Sequence, residues 1–177
     1  PYYFLWQDLR RGNRISIKQM KNQPLVNIII VTFNEYHFTE ACVDSILNGN
    51  YEKIKIFLVD NGSKKERYIK FYDMYKNNKK IEFIRLEQNN GFGEGCNQAL
   101  KKIKKGYIAF LNNDTVVEKD WLTSIIEYME KNTRVGACQP KIKDIKKKEY
   151  FEYAGAAGVF MYVYGFPFTR GRIFYNF

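Results

Sequence analysis

Apolar positions along the chain follow two rhythms that alternate. Val26-Asn-Ile-Ile-Ile-Val-Thr-Phe33 is an almost unbroken β-branched run, interrupted only by Asn27 and Thr32. Such a run predicts a strand buried on both faces. Phe38, Cys42, Ser45 and Ile46 then recur at helical spacing, and Gly49 punctuates the end. The pattern repeats. Ile54–Val59 reads as a strand, and a charged helix carries Ile69, Tyr72 and Tyr75. Ile81–Leu86 reads as a strand, followed by a helix marked by Cys96, Ala99, Leu100 and Ile103. Tyr107–Leu111 is the next strand, Trp121, Ile125, Tyr128 and Met129 mark another amphipathic helix, and Val135–Ile142 is expected as a fifth strand.

Strand and helix in alternation imply an α/β fold, a mostly parallel sheet with helices on both faces. In such sheets ligands collect outside the carboxyl ends of the strands. The polar clusters of this chain fall at those ends: Thr32-Phe33-Asn34, Asp60-Asn61-Gly62-Ser63, Asn89 to Gly93, and Asn112-Asn113-Asp114. One polar strand end is a turn; four in succession point to a site. The segments flanking this core differ in character. Residues 1–23 join an aromatic start (Tyr2, Tyr3, Phe4, Trp6) to a basic stretch (Arg10, Arg11, Arg14, Lys18, Lys21). They are expected as a helix docked on the domain, with an interfacial membrane segment as the alternative. After Lys143 the alternation stops, Lys143–Lys148 reads as a solvated basic stretch, and Tyr150–Arg172 is aromatic, glycine-rich and without helical spacing, as in a hairpin or loop. The expected division is therefore 1–23, a core over 24–142, and a further region over 143–177.

Composition narrows the class. The 177 residues are 45% hydrophobic and 27% charged, which excludes a largely disordered chain. No apolar run reaches the roughly 18 residues of a membrane-spanning helix. Basic residues follow the apolar start instead of preceding it, unlike a secretory leader. The net charge of +10 favours anionic partners such as nucleotides, although solvated lysines account for it equally well. Three widely spaced cysteines form no CxxC pair and no disulfide framework, so a reducing compartment is expected. The single histidine, His37, leaves no His-rich metal site. Gly91-Phe-Gly93-Glu-Gly95-Cys96 fails the dinucleotide spacing because Cys96 stands where the third glycine belongs, and no P-loop occurs. Asn89-Asn90-Gly91-Phe92-Gly93 reads as a loop before the helix marked by Cys96, its glycines letting the backbone approach a ligand and lead into the helix. A carboxylate with neighbouring amides, as in Asn112-Asn113-Asp114, suits Mg²⁺ or Mn²⁺ shared with a diphosphate, or else closes the strand as a plain turn. Asp60 is placed to accept from a nucleobase or ribose, or to cap the following helix.

Four segments in order, Ile30–Asn34, Leu58–Ser63, Asn89–Gly93 with Asn97, and Phe110–Asp114, resemble glycosyltransferase family 2, of the GT-A fold. The tail from Gly155 to Arg172 resembles its rhamnosyltransferase-like branch. The resemblance implies transfer of a sugar, with inversion, from a UDP- or dTDP-linked donor to a hydroxyl on a glycan or lipid-linked glycan. It implies that Thr32, Phe33 and Asn34 line the nucleotide pocket and that Asp60 contacts the base. Asn89, Gly91, Phe92, Gly93 and Asn97 would lie near the ribose and diphosphate. Asn112-x-Asp114 aligns with the family's D-x-D motif, so Asp114 and Asn112 would hold Mg²⁺ or Mn²⁺, with Asn113 between them and asparagine in place of the first aspartate. The family's general base lies in an E-D-type motif that does not occur before Phe177, so the base is expected beyond it, on a chain that is C-terminally incomplete. A non-catalytic nucleotide- or polyanion-binding module is the alternative. The expected location is the cytoplasm, with peripheral contact at the inner membrane face as an option, and no nucleic-acid partner.

Overall fold

A computed structural model describes residues 2–4, 23–140, 142–146, 159–161 and 167–169. The elements run β1 (Tyr2–Phe4), β2 (Val26–Thr32), α1 (Tyr36–Leu47), β3 (Ile54–Asn61), α2 (Lys65–Tyr75), β4 (Ile81–Leu86), α3 (Gly91–Leu100), β5 (Tyr107–Asn112), β6 (Thr115–Val117), α4 (Trp121–Lys131), β7 (Ile142–Asp144), β8 (Val159–Met161) and β9 (Pro167–Thr169). The alternating rhythm is therefore realised, and the central sheet is parallel throughout, in the order β4-β3-β2-β5.

That order follows from handedness. The connections β2-α1-β3 and β3-α2-β4 step in one direction, so right-handed crossovers put α1 and α2 on the same face. The next connection steps back across the sheet to β5, and α3 falls on the other face. The packing agrees. Ile28, Ile30, Ile56 and Leu58 share a core with Cys42, Val43 and Ile46 of α1, Phe71 and Tyr75 of α2, and Trp121, Leu122, Ile125 and Ile126 of α4. On the opposite face Ile29, Val31, Phe57 and Val59 pack with Cys96 and Ala99 of α3. Helix α3 approaches the sheet closely there, since a Cβ at Gly95 would stand 2.8 Å from the Val31 Cγ1. Strand β2, hydrogen-bonded in parallel on both edges and buried at every residue, is the axis of the molecule. The strand order reverses between β2 and β5, and this reversal opens the crevice at their carboxyl ends.

Three sequence expectations change. Tyr2–Phe4 is a strand, paired in parallel with β6 and antiparallel with β7, where a helix was expected. Consecutive aromatics suit a pleated surface better than a helix. Residues 135–140 carry no strand, and the strand of that region is Ile142–Asp144. Pro140 has no N–H to give a ladder and Gly136 packs no side chain, so pairing starts only beyond them. The glycines after Asn90 form the first turn of α3, not a loop before it. In the tail, β8 and β9 pair antiparallel as the hairpin reading required. The rest of residues 1–23, of Lys143–Lys148 and of the tail lies outside the described residues.

The polar interruption of β2 has a structural use. Asn27 is buried and its Nδ2 donates to the carbonyls of Lys105 (2.8 Å) and Tyr107 (3.1 Å), tying β2 to the start of β5. Replacing Asn27 by Ala leaves those carbonyls without their partner, and urea unfolding should report a loss of about 1–3 kcal/mol. An unchanged midpoint would show that water takes over both bonds.

Candidate functional site

Strand β3 ends in a buried carboxylate. Asp60 Oδ1 accepts from the Tyr36 hydroxyl (2.7 Å) and from the Ser63 N–H (3.2 Å). Its Oδ2 faces the Arg85 Nη1 at 3.4 Å without a hydrogen-bond donor. Arg85, at the end of β4, also donates from Nη2 to the Ser63 carbonyl (3.0 Å) and lies 4.2 Å over the Tyr68 ring. Removing a carboxylate from water costs several kcal/mol unless a cation and donors replace the water. Tyr36 and Ser63 supply donors to Oδ1, and Arg85 supplies the cation beside Oδ2, which is left without a hydrogen bond. Burial holds the Tyr36 phenol above its usual range, with the Asp60 carboxylate adding to the shift, so the phenol stays a neutral donor. Asp60 does not cap α2: its N-cap is Lys64, which has no side-chain cap bond.

The turn after β2 is locked onto this carboxylate's own loop. Asn34 sits at φ 61, a left-handed conformation that asparagine tolerates. Its N–H donates to Ser63 Oγ (2.8 Å), its Oδ1 accepts from the Lys64 N–H (3.0 Å), and its carbonyl accepts from Arg67 (2.8 Å). Beside it, Asn61 Nδ2 donates to Asn89 Oδ1 (2.9 Å) and to the Gly91 carbonyl (3.2 Å), while Asn61 Oδ1 accepts from the Asn90 N–H (3.1 Å). Asparagine side chains thus join the ends of β3 and β4 into one floor. Gly62 is required there, because at φ +80 a Cβ would stand 2.4 Å from the Gln88 carbonyl carbon.

The end of β5 closes the other side. Asn112 is exposed, Asn113 and Asp114 are half-buried, and Asn113 Nδ2 reaches Thr39 Oγ1 (3.2 Å) and Thr32 Oγ1 (3.5 Å). Asp114 Oδ1 is buried and has no hydrogen-bond partner. Below it, the Cys42 thiol is pushed up to about 12, first by burial and then by the Asp114 carboxylate, so it remains a neutral thiol. Among the described residues, Asp60 Oδ2 and Asp114 Oδ1 are the two buried side-chain oxygens left without a hydrogen-bond partner. Both stand at carboxyl ends of the parallel sheet, on either side of β2, at ends two strand spacings or about 10 Å apart. Buried orphans of this kind are met by ordered water, an ion or a ligand group.

The sequence-predicted residues are only partly drawn together. Asn34, Asp60, Asn89 and Gly91 share the hydrogen-bonded floor, and Thr32 joins Asn113. Phe33 and Phe92 are exposed, as is Asn97 farther along α3. A Cβ at Gly91 or Gly93 would meet no atom within 4 Å, so the space before the first turn of α3 is open. For a dication, Asp114 and Asn112 offer one carboxylate and one amide oxygen. No group of three metal-binding His, Cys, Asp or Glu occurs among the described residues. The orphaned Oδ1 fits a hard cation, but the set is too small to hold it without phosphate oxygens. Sequence reasoning missed Tyr36, Thr39 and Arg85. Arg85 was legible only as one charge in an apolar strand, and Tyr36 as one more helix residue.

Glycine supplies a contrast that urea unfolding can read. Gly62→Ala should cost at least about 2 kcal/mol through the clash with Gln88 and the strained φ. Gly93→Ala should cost nothing and gain up to about 1 kcal/mol of helix propensity. Equal midpoints for the two variants would contradict the close approach at Gly62.

The model of the family described as Glycosyl transferase family 2 matches residues 27–175. A poly-beta-1,6-N-acetyl-D-glucosamine synthase of Staphylococcus epidermidis is 27% identical over 165 residues, 89% of this chain and 40% of the relative. An uncharacterized glycosyltransferase of Haemophilus influenzae is 28% identical over 130 residues, 73% of this chain and 40% of the relative. The chain thus spans about 40% of the length of these curated relatives. Among solved structures, S. aureus TarS 1–349 in complex with UDP-GlcNAc superposes with a TM-score of 0.56 at 18% identity, covering 65% of this chain and 37% of that one. The mannosyltransferase PcManGT from Pyrobaculum calidifontis, in complex with GDP-Man and Mn²⁺, gives 0.53 at 19% identity over 62% of this chain and 33% of that one. At such identity these structures speak to the fold alone.

Proposed function

The chain belongs to glycosyl transferase family 2, and on that premise we propose that its crevice is the donor pocket of a glycosyltransferase acting on a UDP- or dTDP-linked sugar. The observation that carries this reading is the pair of orphaned oxygens, Asp60 Oδ2 and Asp114 Oδ1, flanking β2. Asp60 Oδ2 accepts the N3–H of uracil or thymine, and Arg85 beside it donates to the neighbouring carbonyl. Cytosine, with a lone pair at N3, is repelled. The exposed Phe33 and the open first turn of α3 at Gly91 and Gly93 border the space for ribose and diphosphate.

Asp114 and Asn112 would hold Mg²⁺ or Mn²⁺ together with the donor's phosphate oxygens, and the bound cation would offset negative charge on the departing diphosphate. Asp114, whose Oδ1 has no hydrogen-bond partner, would offer that oxygen to the cation, and the Asn61–Asn89 clasp holds the start of α3, which would face the phosphates. Attack by an acceptor hydroxyl in line with the leaving diphosphate inverts the anomeric carbon. A carbohydrate acceptor, free or lipid-linked, is in keeping with the printed name of the S. epidermidis relative. Residues 24–142 form the donor core in this reading, 143–177 open the acceptor side, and the rhamnosyltransferase-like tail is part of the same proposal. No helix among the described residues is long and apolar enough to cross a membrane. Peripheral work at a cytoplasmic membrane face through the basic, aromatic residues 1–23 belongs to the reading as well.

Thermal unfolding with UDP, dTDP, GDP and ADP, each with and without Mn²⁺, tests it. A nucleotide at a hundred times its Kd should raise the midpoint by about 5–10 °C. UDP or dTDP should give the rise. Asp114→Ala should abolish only the Mn²⁺-dependent part, and Asp60→Ala should remove the preference for uracil and thymine. Gly93→Ala should keep or slightly raise the melting point without ligand and lose most of the shift. No rise with any nucleotide would overturn the donor-pocket reading. A rise with UDP independent of Mn²⁺ and Asp114 would leave a nucleotide-binding module.

A further inference from the structure

Helix α1 carries three polar side chains, each three residues after the last, along the side that faces the β5–β6 segment. Thr39 meets Asn113, the Cys42 thiol donates to the Asn112 carbonyl (3.6 Å), and Ser45 Oγ accepts from the Val117 N–H (3.1 Å). Cys42 and Ser45 hold backbone, whereas Thr39 holds a side chain of the two-residue turn itself.

A count of protons makes the Thr39 cluster directional. Thr39 is fully buried and its hydroxyl donates to the Glu35 carbonyl (3.0 Å). It then has no proton left for Thr32, whose Oγ1 lies 2.8 Å away, so the Thr32 hydroxyl is the donor of that pair. The second lone pair of Thr39 Oγ1 takes the Asn113 Nδ2–H (3.2 Å). Every hydrogen-bonding capacity of the Thr39 hydroxyl is thereby used, one as donor and two as acceptor. Asn113 is bound to Asp114, whose buried Oδ1 has no partner of its own.

We propose that Thr39 is a positioning residue for the diphosphate end of the pocket. Through its hydroxyl it fixes the Asn113 amide, and with it the turn that presents Asp114 to a phosphate-bound dication. This rests on the donor-pocket reading above. Thr39 touches no ligand in this arrangement. It acts from beneath, through one hydrogen bond to the turn.

The test uses the whole chain, with free Mn²⁺ followed by electron paramagnetic resonance during titration in the presence of UDP, and UDP affinity without metal measured separately. Thr39→Val keeps the shape and removes the hydroxyl; Thr39→Ser keeps the hydroxyl. Thr39→Val should weaken Mn²⁺ uptake with UDP by about fivefold to tenfold, the effect of one buried hydrogen bond. Thr39→Ser should restore it, and metal-free UDP affinity should not move in either variant. The Asn113 side-chain amide signals in the ¹⁵N spectrum should shift in Thr39→Val and return in Thr39→Ser. Combining Thr39→Val with Asn113→Leu should weaken uptake no further than Asn113→Leu alone, because one interaction is broken in both. Unaltered Mn²⁺ uptake in Thr39→Val overturns the proposal, as does an equal loss of metal-free UDP binding, which would mark a general packing role. Should Thr39→Val not fold, Asn113→Leu is read in its place, and wild-type uptake there overturns the proposal equally. If the wild-type chain itself takes up no Mn²⁺ with UDP, the metal part of the donor-pocket reading fails first and takes this inference with it, a result the variants do not produce.

Discussion

Parallel strands cannot be joined by a tight turn, so burying Val26–Thr32 between two parallel neighbours obliges the chain to cross a face of the sheet at each step. The crossovers are right-handed, so the direction of each step decides which face the helix covers. Two steps one way put α1 and α2 beneath the sheet, and the step back to β5 puts α3 above it. From this one constraint comes the crevice between the ends of β2 and β5. Among the described residues the polar clusters gather at that end, since the strand interiors are filled with apolar side chains, Asn27 excepted.

The crevice is held open by polar bonds that each serve two loops. Asn34 belongs to the turn after β2 but spends its amide N–H and its side chain on the turn after β3. Asn61 ends β3 but grips the loop that starts α3. Such buried networks are stabilising only when nearly complete, because an unpaired polar atom away from water costs more than a bond contributes. Against that background two carboxylate oxygens without a hydrogen bond stand out, Asp60 Oδ2, which has only the Arg85 guanidinium at 3.4 Å, and Asp114 Oδ1. Elsewhere in the described crevice the protein answers its own polar groups, and at these two positions it leaves the answer to something else.

Helix α1 links the two halves of this arrangement. At its start Tyr36 donates to Asp60, and the following turns reach Asn113, Asn112 and Val117 on the far side of β2. A single rigid element therefore sets both the carboxylate at one end of the crevice and the turn at the other. Any displacement of α1 would move both together, which is why a helix with so few charged contacts belongs to the site as much as the loops do.

The strand-and-helix order, the parallel sheet and the four polar strand ends were legible in the amino-acid sequence. Burial of a strand on both faces demands an unbroken apolar run, and a turn at its end demands Asn, Asp and Gly. Asp60, Asn89, Gly91 and Asn112-Asn113-Asp114 stood out for that reason. The strand at Tyr2–Phe4, the late start of β7 and the helical setting of Gly91 did not, because each depends on a partner distant in the chain or on a local exception such as Pro140. Tyr36, Thr39 and Arg85 were likewise invisible as site residues. Nothing in their local spacing separates them from an ordinary helix or strand position, and only the crossing of α1 beneath β2 and the pairing of β4 with β3 bring them to Asp60 and Asn113. Sequence alone determined which residue types stand at the strand ends. Tertiary structure decided which of their oxygens are already satisfied, because that depends in part on donors as far as 24 and 81 residues away.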